Sequence, residues 1–326
     1  DDELRKVVAA EHSDIHYISH SSSNGVSGHG PYRALSPREY FEWPKGNTTF
    51  HSERGMPNVV NYESLCRMLK EEHLWPQSDK WGEHDFTLKG AQRGATFNAL
   101  VEKGFGKPES AKEFTELAQW INYNGYRAMF ESRSMYRKGL LLWMTHPAWP
   151  SMVWQTYDYY FEPTAAYFGC MKANEPLHIQ WNAATDEVEV VNYSAGDHAH
   201  LCVEAKIVNL DGSVVWSEKK CMSSIEDSTV KCFKLDFSGE LTAAHFVKLT
   251  LWESERVVSD NFYIRGTEEG NFQAIRTLPE VSLRKRVKME CNNGEWSAVV
   301  TLRNTSDVPA LMIRLNTLGA KDGVQI

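Results

Sequence analysis

Residues 140–174, LLLWMTHPAWPSMVWQTYDYYFEPTAAYFGCMKAN, decide the fold of this chain together with FHSERG at residues 50–55. The longer stretch begins with three leucines that predict a buried strand, and it continues into a loop rich in Trp, Tyr, His and Pro. The shorter one places a lone carboxylate, Glu53, where a short strand over residues 48–50 gives way to a loop. Sugars stack their C–H faces on aromatic rings, and glycoside cleavage needs carboxyl groups. The pattern therefore favours a sugar-cleaving barrel, which carries such groups at its strand ends.

Composition limits the class of protein. The chain has 326 residues, which predicts two or three domains, and 42% hydrophobic with 24% charged residues is typical of a globular protein. A net charge of −8 argues against nucleic acid or an anionic membrane as a partner. No apolar run approaches the roughly 20 residues that span a bilayer. The chain opens with DDELRKVVAAEH, which reads as a helix under way rather than as a signal peptide.

Six cysteines occur without a C-x-x-C pair, so neither a zinc knuckle nor a redox motif is predicted. Cys202, Cys221 and Cys232 fall in one β-rich region. A disulfide between two of them and buried free thiols are both compatible with the sequence. His16 and His20 lack metal-ligand spacing, and we expect neither a metal nor a cofactor.

The part of the chain before residue 170 alternates helical and strand patterns. Alternation of this kind predicts parallel strands joined by right-handed crossovers. Helices are predicted over residues 3–12, 63–72, 88–103 and 110–137. Strands are predicted over residues 15–19, 48–50 and 140–143.

After residue 170 the apolar pattern changes to period two, which indicates antiparallel strands. Seven such segments predict an immunoglobulin-like sandwich: LHIQWN, EVEVVNY, LCVEAKIVN, SVVWSEKK, TVKCFKLDF, HFVKLTLWE and NFYIRG. DGS at residues 211–213 is a hairpin-turn signal. A third unit contains SLRKRVKMEC, WSAVVTLRN and ALMIRLNTL, which are too few strands to close a second sandwich.

Four segments together resemble glycoside hydrolase family 2, in the branch of exo-β-glucosaminidases, β-mannosidases and mannosylglycoprotein endo-β-mannosidases. They are GHGPYRALSPREYF at residues 28–41, FHSERGMP at 50–57, WMTHPAWPSMVWQTYDYYFEPTAAYFG at 143–169 and KANEPLHIQW at 172–181. The resemblance implies an α/β plus all-β protein. Residues 1–169 would form the C-terminal half of a (β/α)8 TIM barrel, 170–268 an immunoglobulin-like sandwich, and 275–326 part of a second β-sandwich domain.

The resemblance also implies roles for individual residues. Family members cleave β-glycosides with retention, using a carboxylate nucleophile and an acid/base carboxyl about 5–5.5 Å apart. Glu53 matches the nucleophile by motif and by its position at a strand end. The acid/base carboxyl of the family follows an earlier barrel strand, so we expect it upstream of this chain. No carboxylate in the four segments matches its motif.

Substrate contacts are predicted around Glu53. Trp143 lies where the family places an aromatic platform under the sugar, although a core tryptophan is the alternative. His146 stands where relatives often have Asn, and Asp158 could either accept hydrogen bonds from sugar hydroxyls or brace its own loop. The other candidates, some of which could simply pack, are His29, Tyr32, Trp149, Trp154 and Tyr157.

The sequence supports two hypotheses of function. The first is a retaining β-glycosidase acting on β-mannosidic or β-glucosaminidic bonds, and the second is a carbohydrate-binding or structural module that does not turn over. Half a barrel exposes two sheet edges, so we expect either the missing half of an enzyme or a second copy of the chain as partner. The family implies an extracytoplasmic location.

Overall fold

The computed structural model describes residues 1–23, 25–28, 30–42, 50–86, 94–133 and 139–315. The helices are α1 (Asp2–Glu11), α2 (Pro37–Glu42), α3 (Tyr62–Met68), α4 (Asp79–Glu83), α5 (Gly94–Phe105), α6 (Ala111–Glu131) and α7 (Ala165–Ala173), with 3-10 turns at Glu71–His73 and Gln273–Thr277. The first three strands are β1 (Val26–Ser27), β2 (Phe50–Arg54) and β3 (Leu140–Leu142). None of the helices in these ranges has the length and apolar character needed to cross a membrane.

Strands β1, β2 and β3 form a parallel sheet with β2 in the middle. The predicted parallel pairing is therefore confirmed for β2 and β3, whereas β1 was not predicted. The observed β2 extends to Arg54, so Glu53 lies inside the strand and not in the loop after it. Residues 48 and 49 of the predicted strand lie outside the described residues.

Two strand predictions are wrong in detail. Residues 15–19 form no strand, because an extended segment becomes one only where a neighbour supplies hydrogen-bond partners, and none of the described residues does so. Leu141 of β3 was predicted to be buried but is 55% exposed. The reason is that β3 is an edge strand, and among the described residues nothing covers one of its faces.

Helix α6 is the centre of the helical layer, because α2, α3, α5 and α7 all pack against it. It begins where the sequence predicts, because the Ser110 side chain accepts a hydrogen bond from the Glu113 N–H over 3.2 Å and so caps the first turn. Its buried face carries apolar side chains at helical spacing, among them Phe114, Ala118 and Ile121. These side chains join the core that lies between the helices and the sheet.

Helix α7 packs closely on α6 and spans residue 169, the predicted domain boundary. A Cβ on Gly169 would lie 2.5 Å from the carbonyl oxygen of Tyr123, so only glycine permits this approach of the two helices. The helical layer therefore continues to Ala173 before the antiparallel strands begin.

The seven strands predicted after residue 170 are confirmed. They are β4 (Leu177–Asn182), β5 (Glu187–Asn192), β6 (His198–Asn209), β7 (Val214–Ser224), β8 (Ser228–Lys234), β9 (Ala244–Glu253) and β10 (Arg256–Gly266). One sheet has the order β4-β5-β8 and the other β10-β9-β6-β7, and their inward side chains form one core. The predicted turn joins β6 to β7, where the Asp211 carboxylate accepts from the Ser213 N–H over 2.9 Å.

The strand register shows which of the three cysteines in the sandwich form a disulfide. Cys202 on β6 lies directly opposite Cys221 on β7, and the two form a disulfide. Cys232 on β8 is a buried free thiol. The disulfide thus crosses the β6–β7 hairpin near its middle.

The sandwich is attached to α6 through a buried polar cluster. Arg127 of α6 donates to the side chain of Asn261 over 2.8 Å, and Glu131 accepts from the hydroxyl of Tyr263 over 2.8 Å. The Nε2 atom of His178 on β4 lies 3.1 Å from the Glu131 carboxylate. These contacts hold the sandwich in a fixed position against the helical layer.

The chain continues into a hairpin of β11 (Leu283–Asn292) and β12 (Glu295–Asn304). One face of this hairpin is apolar and exposed, with Val287 and Met289 on β11 beside Trp296 on β12. Of the third predicted segment, residues 310–315 form no strand, and the remainder lies outside the described residues.

Candidate active site

Glu53 lies next to the last residue of β2, the middle strand of the parallel sheet, and is half-buried. The backbone N–H of Trp143, directly after β3, donates to the carbonyl of Arg54 over 3.0 Å. This bond joins the ends of β2 and β3. It therefore brings Trp143, whose side chain is 46% exposed, to the sheet edge that carries Glu53.

Gly55 makes this close junction sterically feasible. A Cβ on Gly55 would lie 2.1 Å from the carbonyl oxygen of Trp143 and 3.1 Å from the Cβ of Trp154. Any larger residue would push the aromatic loop away from the end of β2. The residue after Arg54 thus determines how near the two tryptophans come to Glu53.

Tyr32 approaches Glu53 from the segment after β1. Its hydroxyl lies 3.1 Å from the carbonyl of Gly28, to which it can donate. Burial raises the pKa of Tyr32, and a hydrogen bond to the Glu53 carboxylate and the negative charge of that carboxylate raise the pKa further. Tyr32 therefore stays protonated, and its single O–H has two acceptors within reach, the Gly28 carbonyl and the Glu53 carboxylate.

Trp154 closes the arrangement on the other side. Its indole N–H donates to the carbonyl of Tyr32 over 3.4 Å, and the two rings lie 5.5 Å apart. The Met144 N–H donates to the Trp154 carbonyl over 2.6 Å, so the loop is held back onto its own start. We call Tyr32, Glu53, Trp143 and Trp154 the Glu53 cluster.

Two other candidates lie on the exposed rim of the same loop. The ring of His146 stacks on Phe161 with centroids 4.4 Å apart. The ring of exposed Trp149 stacks near that of His84, with centroids 6.2 Å apart. The Nδ1 atom of His84 lies 2.6 Å from the carbonyl oxygen of Pro150. Neither pair has a described contact with the Glu53 cluster, so they belong to the wider rim.

Of the two roles that the sequence left open for Asp158, the structure favours the loop brace over the sugar ligand. Asp158 is completely buried, and its carboxylate accepts from the N–H groups of Tyr160 over 2.8 Å and Glu162 over 3.0 Å. Both amides donate to the Oδ1 atom, and it is the complete burial of the side chain that keeps the carboxylate away from a substrate hydroxyl. Tyr157 packs its ring at 5.0 Å from Tyr167 beside this brace. His29, the remaining candidate, lies outside the described residues.

Two basic residues of β2 itself are buried beside Glu53. Burial, then the charges of Arg133 and Arg54, lower the pKa of His51 to about 4, so His51 is neutral at physiological pH. Burial lowers the pKa of Arg54 to about 10, which leaves it charged, and its guanidinium lies 5.0 Å from the ring centre of Tyr40. Arg54 therefore places a buried positive charge in the strand, next to Glu53 in the sequence.

The sequence did not single out Gly55 or Phe161. The steric need for glycine at position 55 arises from Trp143 and Trp154, which are far away in the sequence. Phe161 is 65% exposed and has a positive φ of 64°. No local sequence pattern predicts either property. An aromatic residue beside an Asp-based turn is the one available signal, and it is weak.

The chain is similar to known proteins over most of its length. Residues 261–326 match the family model of the exo-β-D-glucosaminidase Ig-fold domain. An exo-β-D-glucosaminidase of Arthroderma benhamiae is 26% identical over 93% of this chain and 38% of its own length. A mannosylglycoprotein endo-β-mannosidase of Lilium longiflorum is 33% identical over 81% of this chain and 30% of its own length.

Solved structures share the fold. An exo-chitosanase of Amycolatopsis orientalis in complex with PNP-β-D-glucosamine superposes with a TM-score of 0.82 at 23% identity, covering 93% of this chain and 41% of that one. A β-D-mannosidase from Dictyoglomus thermophilum gives a TM-score of 0.68 at 19% identity, covering 83% and 32%. The chain spans between 26% and 38% of the length of the curated relatives that it matches.

Proposed function

Because this chain is a relative of the exo-β-D-glucosaminidases and mannosylglycoprotein endo-β-mannosidases of glycoside hydrolase family 2, we propose that it is part of a retaining β-glycosidase. Residues 1–169 supply the C-terminal half of the catalytic barrel, and the strands that follow supply immunoglobulin-like domains. The bond cleaved is a β-mannosidic or β-glucosaminidic one. The observation that carries the proposal is the position of Glu53 next to the end of the central parallel strand. Tyr32 interacts with its carboxylate there, and Trp143 and Trp154 lie close to Gly55, two residues further along.

Glu53 acts as the nucleophile in this proposal. Its carboxylate attacks the anomeric carbon of the sugar, the bond to the leaving oxygen breaks, and a covalent glycosyl-enzyme forms. The Tyr32 hydroxyl, whose own pKa is raised by burial and by the nearby Glu53, orients the carboxylate by donating a hydrogen bond to it. Water later attacks the anomeric carbon and releases the sugar with Glu53 restored.

The aromatic members of the Glu53 cluster bind the sugar. Exposed Trp143 offers its indole to the apolar C–H face of the ring, and half-buried Trp154 forms the wall behind it. His146 and Trp149 contact units further from the cleaved bond. Tyr157 contributes through its packing on Tyr167, which keeps the loop in place.

The acid/base carboxyl comes from another segment of the enzyme. The aromatic loop, residues 143–164, contains two carboxyl groups, and both are engaged elsewhere. Asp158 accepts from backbone amides, and Glu162 lies 3.7 Å from the guanidinium of Arg314. General-acid help is worth roughly 10²–10⁴-fold in rate. We therefore expect this chain alone to cleave glycosides with a poor leaving group only slowly.

The same observation favours a second candidate function, a carbohydrate-binding or structural module without turnover. This candidate requires only the aromatic members of the Glu53 cluster. It differs from the first in one respect, because it predicts binding that is indifferent to the ionisable carboxyl of Glu53.

A covalent trap tests the proposal. The chain is incubated with 2,4-dinitrophenyl 2-deoxy-2-fluoro-β-mannoside, whose leaving group needs little acid help, and the digested protein is mapped by mass spectrometry. We expect one sugar adduct on the peptide that contains Glu53. The adduct should be absent in Glu53→Gln and retained in Glu162→Gln, a matched control in the neighbouring loop. A folded wild-type chain without adduct would move the binding module ahead.

A further inference from the structure

A second groove lies outside the Glu53 cluster. It has a volume of about 200 Å³, which is enough for a single sugar ring, and it lies between the segment after α3, helix α5 and the start of α6. Its walls are formed by Trp75, Gln77, Asn98, Glu102, Lys107 and Phe114. We propose that this groove binds one neutral pyranose unit, as an accessory site for an oligosaccharide.

The aromatic wall of the groove is built into the core. Trp75 is half-buried and packs on buried Phe114, with ring centroids 5.7 Å apart. A tryptophan that is fixed in this way loses little conformational freedom when a ligand binds, and its ring is a flat surface for the C–H face of a pyranose.

The polar wall is a preformed pair of amides. Asn98 donates to the side-chain oxygen of Gln77 over 2.7 Å, and Gln77 donates back over 3.4 Å. Each amide has two N–H groups and two acceptor sites, so each retains one donor and further acceptor capacity for a ligand. A donor beside an acceptor matches neighbouring hydroxyl groups of a sugar.

Charges at the mouth of the groove complete this match. Glu102 and Lys107 are exposed, and neither forms an ion pair with another described residue. The ammonium group donates and the carboxylate accepts, and the two charges offset each other. The lining therefore suits a neutral, hydroxyl-rich ring better than a charged ligand.

The groove opens at the same end of the sheet as Glu53. Helix α6 leads into β3, and β3 runs parallel to β2, so the start of α6 lies at the end of the sheet where β2 ends. The ring of Phe114 also packs on Trp81, with centroids 5.7 Å apart. Trp81 precedes His84 by three residues, and the ring of His84 stacks near Trp149 on the rim. A glycan whose end reaches Glu53 could thus place a distant unit in the groove. That last step rests on the proposed function, whereas binding in the groove does not.

Fluorine NMR of the full chain labelled with 5-fluorotryptophan tests the proposal, because it observes the two sites separately. The Trp75 and Trp143 signals are assigned with Trp75→Phe and Trp143→Phe, and the chain is titrated with β-1,4-mannotriose. We expect a saturable shift of the Trp75 signal and none with sorbitol, an open-chain polyol. Gln77→Ala should weaken the apparent affinity about threefold to tenfold, while Gln273→Ala, a control amide outside the groove, should not change it.

The outcomes are separable. A Trp75 signal that does not move in the folded chain, or a shift that Gln77→Ala leaves unchanged, overturns the accessory site. A moving Trp75 signal beside an unmoved Trp143 signal supports the groove and counts against sugar binding at Glu53. The reverse pattern supports Glu53 and removes the groove.

Discussion

At the scale of single residues, Gly55 controls how closely Trp143 and Trp154 approach the end of β2. A Cβ at position 55 would clash with the backbone of Trp143 and meet the side chain of Trp154, and both tryptophans belong to the Glu53 cluster. A carboxylate in a strand is common, but a carboxylate that interacts with a protonated tyrosine, at a strand end where two tryptophans lie close to the next glycine, marks a candidate site. The geometry of this site therefore depends on a residue that carries no functional group.

Replacing Gly55 by alanine should disrupt the cluster. The new Cβ would lie 2.1 Å from the Trp143 carbonyl, so the loop must move away from β2. We expect a loss of about 1–3 kcal/mol in the free energy of unfolding and loss of the Glu53 adduct. Both are measured by urea denaturation and by mass spectrometry of the trapped chain.

Gly212→Ala is the comparison for this change. Gly212 has open space around it and a positive φ, so alanine there meets backbone strain but no clash. We expect it to keep the adduct. Equal effects of the two substitutions on labelling would argue against a steric role for Gly55.

At the scale of elements, the β6–β7 hairpin shows how register converts a cysteine pattern into a bond. The register of the two strands places Cys202 and Cys221 opposite each other, on a hairpin whose turn contains Asp211. Cys232, one strand further along the chain, is a buried free thiol without a disulfide. The hairpin is therefore closed at its turn and again near its middle.

Removing this disulfide should destabilise the sandwich. The bond closes a loop with a sequence separation of 19 residues, and its loss should lower the free energy of unfolding by about 2–4 kcal/mol. The measurement is the Tm of Cys202→Ser/Cys221→Ser against wild type, with and without reductant. Cys291→Ser, which changes an exposed free cysteine, should leave the Tm unchanged. A reductant-insensitive wild type would contradict the prediction.

At the scale of the whole molecule, the junction between the helical layer and the sandwich is polar and buried. His178 lies between two carboxylates, with Glu131 and Glu175 each 3.1 Å away. Burial is the largest influence on His178 and acts to lower its pKa, but the hydrogen bonds and charges of both carboxylates raise that pKa above its ordinary value. The protonated imidazolium therefore bridges the two parts of the chain.

Stability of the junction should depend on pH. Because the pKa of His178 is raised by folding, its contribution is complete below the unfolded value of about 6.5 and is lost as pH rises through the folded pKa. The pKa of Glu131 is lowered on balance, although burial opposes this, so its contribution is lost as pH falls through that depressed value. We expect greatest junction stability between about pH 4.3 and 6.5.

Thermal melts from pH 4 to 9 test this expectation. His178→Asn should cost about 3–5 kcal/mol, because it leaves buried carboxylates without their cation, and it should flatten the fall in Tm above pH 6.5. His200→Asn, at an exposed position of the sandwich, should keep the wild-type profile. If His178→Asn melts with an unchanged pH slope, the bridge does not control the junction.

The open sheet gives a prediction for assembly. Strands β1 and β3 are the edges of the parallel sheet, and α1 has no buried residue, so the described chain leaves surfaces that a second half-barrel or another copy could cover. We expect the chain on its own to be a dimer or larger by light scattering. Leu141→Lys on β3 should shift it toward monomer, and Val214→Lys, similarly exposed on the sandwich, should not. A wild-type monomer with a sharp melt would contradict the half-barrel assignment.

Three features were predictable from the sequence: the seven sandwich strands, the helix predicted over residues 110–137 and found over Ala111–Glu131, and the parallel pairing of β2 with β3. Each of these depends on apolar periodicity or on alternation of elements, which are written within a short window of the chain. The motif around Glu53 was equally local. Together they indicated the family, the nucleophile candidate and two of the tryptophans beside it.

Only the tertiary structure decided the use of individual side chains. Asp158 became a brace because the loop turns its carboxylate inward onto two amides, and the segment at residues 15–19 formed no strand because no described neighbour pairs with it. Gly55, the amide pair of Gln77 and Asn98, and the His178 bridge all join residues from different elements. Such contacts depend on where the chain returns in space, and a local pattern carries no information about that return.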